Sequence, residues 1–250
     1  MEVGSFAIEK GYSSEITTFD DDGYISGERV NLRDQKHFWF DQVTLTSAYF
    51  GDFDKPNLFA RTDGFAKSNY RQLAAKKQIT SRVGLSGEYN WISNGGRTRT
   101  TREAVVVDIR ESKVIDRVRF EGYDRWNTVI QQGDEQDPGH GYAVVVDKKV
   151  GRLSGDLGYA SIDTDDGVYT GHSFVDEVGF SMNGDNYNTG KRVFAHVSYK
   201  LNPVVNAFGF YTHTTQTIPQ VDGTTLNTQG LNAGLSFDLK ALVNTEKAVF

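Results

Sequence analysis

Arginine recurs at alternate positions in the middle of the chain. Arg117, Arg119 and Arg125 share one parity with Glu121 among them, and Arg82, Arg102 and Arg110 fall on the corresponding face of the two preceding segments, together with Glu88 and Asp108. In an extended chain successive side chains point to opposite sides, so these residues would stand on one wall of adjacent strands. Charges of one sign sharing a narrow aqueous space focus the field, and an arginine excess there draws anions or acidic solutes. The competing outcome is pairing of arginine with carboxylate across strands, which hydrates the wall and leaves little net field.

A second charged group is acidic. Residues 163–190 carry Asp163, Asp165, Asp166, Asp176, Glu177 and Asp185. Asp163-Thr164-Asp165-Asp166-Gly167 begins like a calcium loop, but the bidentate glutamate that closes such a loop is missing at its spacing, so no metal site is read there. His196 and Ser198 stand two apart on one strand face, as a serine nucleophile and its base would. No Asp or Asn at a comparable strand position supplies the orienting third group. There is no Walker loop, dinucleotide fingerprint or zinc-protease helix, and no cofactor is expected.

These residues need elements to position them, and composition limits the choice. The chain has 250 residues with 26 Gly, four Pro and no Cys, so disulfides, thiolate metal sites and a cysteine nucleophile are excluded. No run of about 18 apolar residues exists, which excludes a membrane helix but not a membrane strand, where only every second residue needs to face lipid. A net charge of -6 argues against a general nucleic-acid binder. The opening MEVGSFAIEKGY lacks the basic start and apolar core of a secretory signal, so export would require a signal that this sequence does not carry.

Alternation then points to strands, twelve of them. The clearest closes the chain: Leu231, Ala233, Leu235, Phe237 and Leu239 alternate with Asn232, Gly234, Ser236, Asp238 and Lys240. Ile79, Val83, Leu85, Tyr89 and Trp91 oppose Thr80, Arg82, Ser86, Glu88 and Asn90 in the fifth strand. The first is expected over 5–18 and the fourth over 58–68, with 69–77 as a connection containing a helical turn at 71–75. A two-residue turn at Asn202-Pro203 would set Ala195, Val197 and Tyr199 beside Phe210, Phe208 and Asn206, leaving His196 and Ser198 beside small Gly209 and Ala207. That hairpin would have a greasy outside and a roomy polar inside.

Connections after odd strands are tips or long polar loops, while those after even strands are mostly short. This asymmetry is expected when a sheet closes across a membrane, and closure removes the free edges that so many strands would otherwise expose. The fold expected is all-β: one closed antiparallel transmembrane β-barrel of about twelve strands over residues 1–250, with 240–250 as a tail. Trp39, Tyr49, Tyr89, Trp91, Trp126, Tyr159, Tyr199 and Phe237 fall toward strand ends on the apolar face, as in a lipid-interface girdle. The alternative is a soluble β-sandwich that binds carbohydrate or a protein partner, whose core would also use alternating aromatics.

The turn YKLNPVV, the strand VNAFGFYTHT and the closing NAGLSFDL resemble the last strands of bacterial outer-membrane porins, over residues 192–239. Chains of that class commonly stop at an aromatic residue closing the last strand, whereas here residues 240–250 follow Leu239 and end at Phe250. The resemblance implies residence in a bacterial outer membrane among lipid and lipopolysaccharide, with short periplasmic turns and long extracellular loops. It implies passive diffusion of small hydrophilic solutes, to which the arginine wall would add a lean toward anions, no enzymatic step, and compatibility with a homo-oligomer. It also implies that 163–190 folds inward as a constriction, setting Asp165, Asp166, Asp176 and Glu177 opposite the arginine wall. The His196-x-Ser198 pair is similar to that of outer-membrane phospholipases, which makes an outer-membrane lipid hydrolase a further alternative.

Overall fold

A computed structural model describes residues 1–13, 24–33, 39–49, 68–93, 97–109, 112–129, 135–136, 139–164, 190–217 and 225–237. Residues 58–67 of the expected fourth strand, the constriction residues Asp165, Asp166, Asp176 and Glu177, Arg110 and the tail 240–250 lie outside the described residues.

The strands are β1 (Glu2–Ala7), β2 (Tyr24–Leu32), β3 (Gln42–Tyr49), β4 (Tyr70–Gln78), β5 (Val83–Ile92), β6 (Arg97–Asp108), β7 (Arg117–Val129), β8 (Glu135–Gln136), β9 (Gly139–Val150), β10 (Leu153–Thr164), β11 (Gly190–Lys200), β12 (Val205–Thr217) and β13 (Thr225–Phe237). They form one antiparallel sheet in which chain neighbours are sheet neighbours, from β1 to β13, with two-residue β8 set aside on β7. No helix occurs among the described residues. A single meander of this kind is not the two-layer Greek-key arrangement of a sandwich.

The register aligns side chains into rows. On one face Val83, Val107, Val118, Val146, Leu157, Ala195, Tyr211 and Leu231 are successive cross-strand partners. The row beside it runs Leu85, Val105, Phe120, Val144, Tyr159 and Val193. This face is called outer here because its apolar side chains are exposed: Leu157 is 53% accessible, Phe120 50% and Leu231 79%. The inner face carries the row Thr44, Ala74, Glu88, Arg102 and Tyr123. Those residues are all buried.

Three of the short turns, after β4, β6 and β11, are built alike. At 79–82 the Thr80 hydroxyl accepts from the backbone N–H groups of Arg82 and Val83. At 201–204 Asn202 Oδ1 accepts from Val204 and Val205, and Ser112 Oγ accepts from Val114 and Ile115. Short polar side chains bonding their own backbone two and three residues on are a standard way to close a tight turn. The β9–β10 connection is shorter still, and Gly151 adopts φ 59° in it, a left-handed conformation that glycine takes without penalty.

Several expectations need correction. β4 occupies the stretch expected to be a connection with a helical turn. Its residues Arg71-Gln72-Leu73-Ala74-Ala75 favour a helix by propensity, but strands pair with them on both sides and their alternation puts Tyr70, Gln72 and Ala74 inside and Leu73 outside. β5 begins at Val83 rather than Ile79, because 79–82 is a turn. β1 ends at Ala7, and residues 8–13 leave the sheet instead of extending the strand.

The hairpin of β11 and β12 is offset by one residue from the expected register. Val197 pairs with Gly209, His196 with Phe210 and Ser198 with Phe208. The turn spans 201–204, where Leu201 and Asn202 N–H groups both donate to the Val205 carbonyl. A one-residue offset moves every side chain of a strand to the other face. The phenylalanines of β12 therefore point inward, and the space expected to be roomy and polar holds an apolar cluster of Ala143, Val145, Ala160 and Phe194 with Phe210 packed on it. Phe194 covers Gly158, its cross-strand partner, where a Cβ would overlap the ring.

Candidate functional site

The inner face of β3 to β7 carries a connected polar network built by cross-strand register. Glu88 Oε1 accepts from Arg102 Nη1 at 2.6 Å and from Asn90 Nδ2 at 2.9 Å, and Glu88 Oε2 accepts from Gln72 Nε2 at 2.7 Å. Tyr70 OH donates to Asn90 Oδ1 at 3.0 Å, and the Arg102 guanidinium lies 5.1 Å from the centroid of Tyr123. The Arg102 and Glu88 side chains are 0% and 4% exposed. A charge pair this deeply withdrawn from water persists only when further hydrogen bonds satisfy it, and Glu88 has three donors.

Toward the short-turn side lies a row of ionisable groups on consecutive path strands, Asp108, Arg117, Asp147, Asp156 and His196. Arg117 Nε donates to Asp108 Oδ1 at 2.7 Å, Arg119 Nη2 to Asp147 Oδ2 at 3.4 Å, and His196 Nδ1 lies 3.2 Å from Asp156 Oδ2. These side chains are half-exposed, so solvent reaches them and screens their pairing.

The sequence-selected residues distribute as follows. Arg102, Arg117, Arg119, Glu88, Asp108 and Glu121 share the inner face. Arg82 does not join them: it lies exposed in the β4–β5 turn. Arg125 pairs with Thr100 and Gly139 in the sheet. Of the arginines selected, Arg102, Arg117 and Arg119 each face a carboxylate.

Asp156 is the residue that sequence reasoning missed. It gives His196 the orienting acid that no nearby position offered, from forty residues away in the chain and one strand away in space. Gln72, Tyr70 and Asn90 were missed for other reasons: the first two lie on β4, a stretch expected to be a connection, and none of the three carries a charge. On the outer face Arg71 stacks 4.9 Å from the Trp91 ring, and Tyr142 and Tyr159 have centroids 6.1 Å apart. All four lie toward the long-connection ends of their strands, while Tyr199 and Phe237 lie at the opposite ends, 44% and 61% exposed. No group of three or more His, Asp or Glu poised for a metal ion occurs among the described residues.

No protein-family model matches the sequence, and no curated protein matches it. Among solved structures the chain is similar to one described as a NanC porin in a rhombohedral crystal form. The match covers 87% of this chain and 94% of that chain, at 11% sequence identity and a TM-score of 0.43.

Proposed function

We propose that this chain is an outer-membrane diffusion channel, its sheet closed into a barrel with lipid around the outside and small hydrophilic solutes passing within. One observation carries the reading: polarity is reversed relative to a soluble protein. Val83 to Leu231 form an apolar row eight strands wide on the outer face, while Glu88, Arg102, Gln72, Arg29 and Thr44 are buried on the inner one. Water on the outer face would leave those apolar rows without a partner, whereas hydrocarbon suits them, and a spanning sheet must close because lipid satisfies no free strand edge. The exposed aromatics at both strand ends fit the two interfacial girdles of such a barrel.

Transport of this kind breaks no bond. Its rate follows from the width of the passage and its selectivity from the charge on the wall. The lean toward anions belongs to the arginines of that wall and is moderated by Asp108, Asp147 and Glu88 opposite them. Planar-bilayer conductance of the purified protein tests the reading, with a selectivity measurement on Arg117→Glu/Arg119→Glu. The expected result is ohmic conductance whose reversal potential moves toward cations in the variant. A protein that stays monodisperse without detergent and never conducts would end the proposal.

The contact between Asp156 and His196 favours a second reading, a hydrolase with Ser198 as nucleophile. The three residues share the inner face, where an acyl chain dissolved in the surrounding lipid does not reach them. Absence of ester hydrolysis by the parent protein, or unchanged hydrolysis by Ser198→Ala, disposes of it.

A further inference from the structure

Residues 8–13 do something that the rest of the chain does not. Held by the Arg29 guanidinium, which donates to the Ala7 carbonyl, the chain leaves β1 and runs across the inner face toward the short-turn ends of β4 and β5. We infer that this strap is the channel's constriction, docked in the lumen by Glu9 and Tyr12 and able to set the unit conductance. The inference rests on the channel reading above.

Every anchor is an inward-facing side chain of the wall. Gln72 Nε2 donates to the Glu9 carbonyl, Gln42 Nε2 to Glu9 Oε2 at 3.3 Å, and Lys76 Nζ lies 3.9 Å from Glu9 Oε1. The Tyr12 N–H donates to Ser86 Oγ at 2.9 Å, and Tyr12 OH donates to Gln78 Oε1 at 3.0 Å. The same Gln72 and Gln42 bond to Glu88 and Thr44, so the strap is tied into the polar network and does not lie loosely over it.

The fit is steric as well as polar. Gly11 has φ +60°, and a Cβ there would stand 2.6 Å from Ser86 Cβ. A Cβ on Gly84 would stand 2.8 Å from the Tyr12 ring. The strap's backbone against the Ser86 side chain at one point, and the Tyr12 ring against the backbone of β5 at the other, leave no room for a Cβ on either glycine. Ser13 at the end of the strap is buried, and its N–H donates back to the Lys10 carbonyl. A solute travelling along this side of the lumen meets backbone and a phenol where a bare strand would offer only side chains, which narrows the passage by the thickness of a chain.

The absence of cysteine makes docking measurable apart from conductance. Ser86→Cys places a lone thiol under the strap, to be labelled with a charged maleimide in the folded protein, alone and combined with Glu9→Ala/Tyr12→Ala. Gly84→Ala, which leaves the strap sequence intact, is the second undocking variant. The expected result is slow labelling of Ser86→Cys, labelling about tenfold faster once two anchors are removed, and a larger unit conductance in both undocked proteins. Fast labelling without the anchor substitutions shows that the strap is not docked and overturns the inference. Faster labelling with unchanged conductance shows a strap that docks but does not constrict, which overturns it too. If labelling behaves as expected and no form conducts, the channel reading itself has failed and the constriction falls with it.

Discussion

Arg102 and Glu88 stand directly opposite each other on β6 and β5, with Nη1 and Oε1 2.6 Å apart and both side chains out of contact with solvent. Removing one partner of such a pair leaves the other charge buried, a loss of about 3–5 kcal/mol, whereas removing both leaves no orphan charge. Glu88→Ala should therefore lower the urea midpoint of unfolding steeply. Glu88→Ala/Arg102→Met should recover much of that loss, so the double-mutant cycle returns a large favourable coupling. Additive effects would mean that the two groups do not share a dry site.

The outer face makes a prediction that separates lipid from water as its surroundings. Val146 sits mid-strand in the eight-residue apolar row between Val118 and Leu157. In a bilayer Val146→Arg should cost about 2–4 kcal/mol, while Leu201→Arg, in an exposed turn at the end of the sheet, should cost about 0–1 kcal/mol. Refolding into lipid, followed by the shift in gel mobility on heating, measures both. Equal small costs would mean that the outer face is wet, and the channel proposal would go with that result.

How far the chain could be read from sequence depended on what fixed each element. Period-two alternation identified the faces of β5, β6, β7 and β13, because their apolar and polar residues differ sharply: Leu85 against Glu88, Val105 against Arg102, Leu231 against Asn232. β4 was invisible because its residues are good helix formers and only its neighbours make it a strand. The β11–β12 register hinged on the turn, and one residue more in that turn turned Phe208 and Phe210 from outside to inside. In the site, charge on one strand face was legible, but the partners were not. Asp147 for Arg119 and Asp156 for His196 come from other hairpins, and their pairing is set by a register that no local pattern encodes. The strap left no mark at all, since its anchors, three glutamines, a serine, Arg29 and Lys76, are spread over four strands and form no local pattern.

Inside the apolar part of the wall, Gly158 and Phe194 face each other on β10 and β11, and the Phe194 and Phe210 centroids are 6.4 Å apart. Gly158→Ala should force the ring out of its place at a cost of about 1–3 kcal/mol. Phe194→Leu in the same chain should relieve the overlap and return part of the stability, although Phe194→Leu alone should destabilise. Thermal unfolding in detergent gives all three values. Failure of the second substitution to rescue the first would show that the ring does not lie over Gly158.

The short-turn side of the sheet repeats one device. Asp41 donates its N–H to the Lys76 carbonyl, accepts from Lys77 Nζ at 2.9 Å and from the Gln78 N–H at 2.6 Å. Asp116 donates to the Asp147 carbonyl, accepts from Lys148 Nζ at 2.7 Å and from the Lys149 N–H at 2.8 Å. Each aspartate thus ties the turn before its strand to the end of a neighbouring strand. Both carboxyls are held below their ordinary value, Asp41 chiefly by the Gln78 N–H and then Lys77, Asp116 chiefly by Lys148 and then the Lys149 N–H. A folded value below the unfolded one means that the unfolded chain takes up protons first. The stabilisation is therefore complete above the ordinary carboxylate value of about 4 and is lost as pH falls through the lowered folded values. Asp41→Asn/Asp116→Asn should unfold at lower urea than the parent at pH 7, and the two midpoints should converge as pH is lowered below about 4. A gap between them that stays constant down to acid pH would mean that the carboxylate charge contributes nothing and that the turns are held by backbone bonds alone.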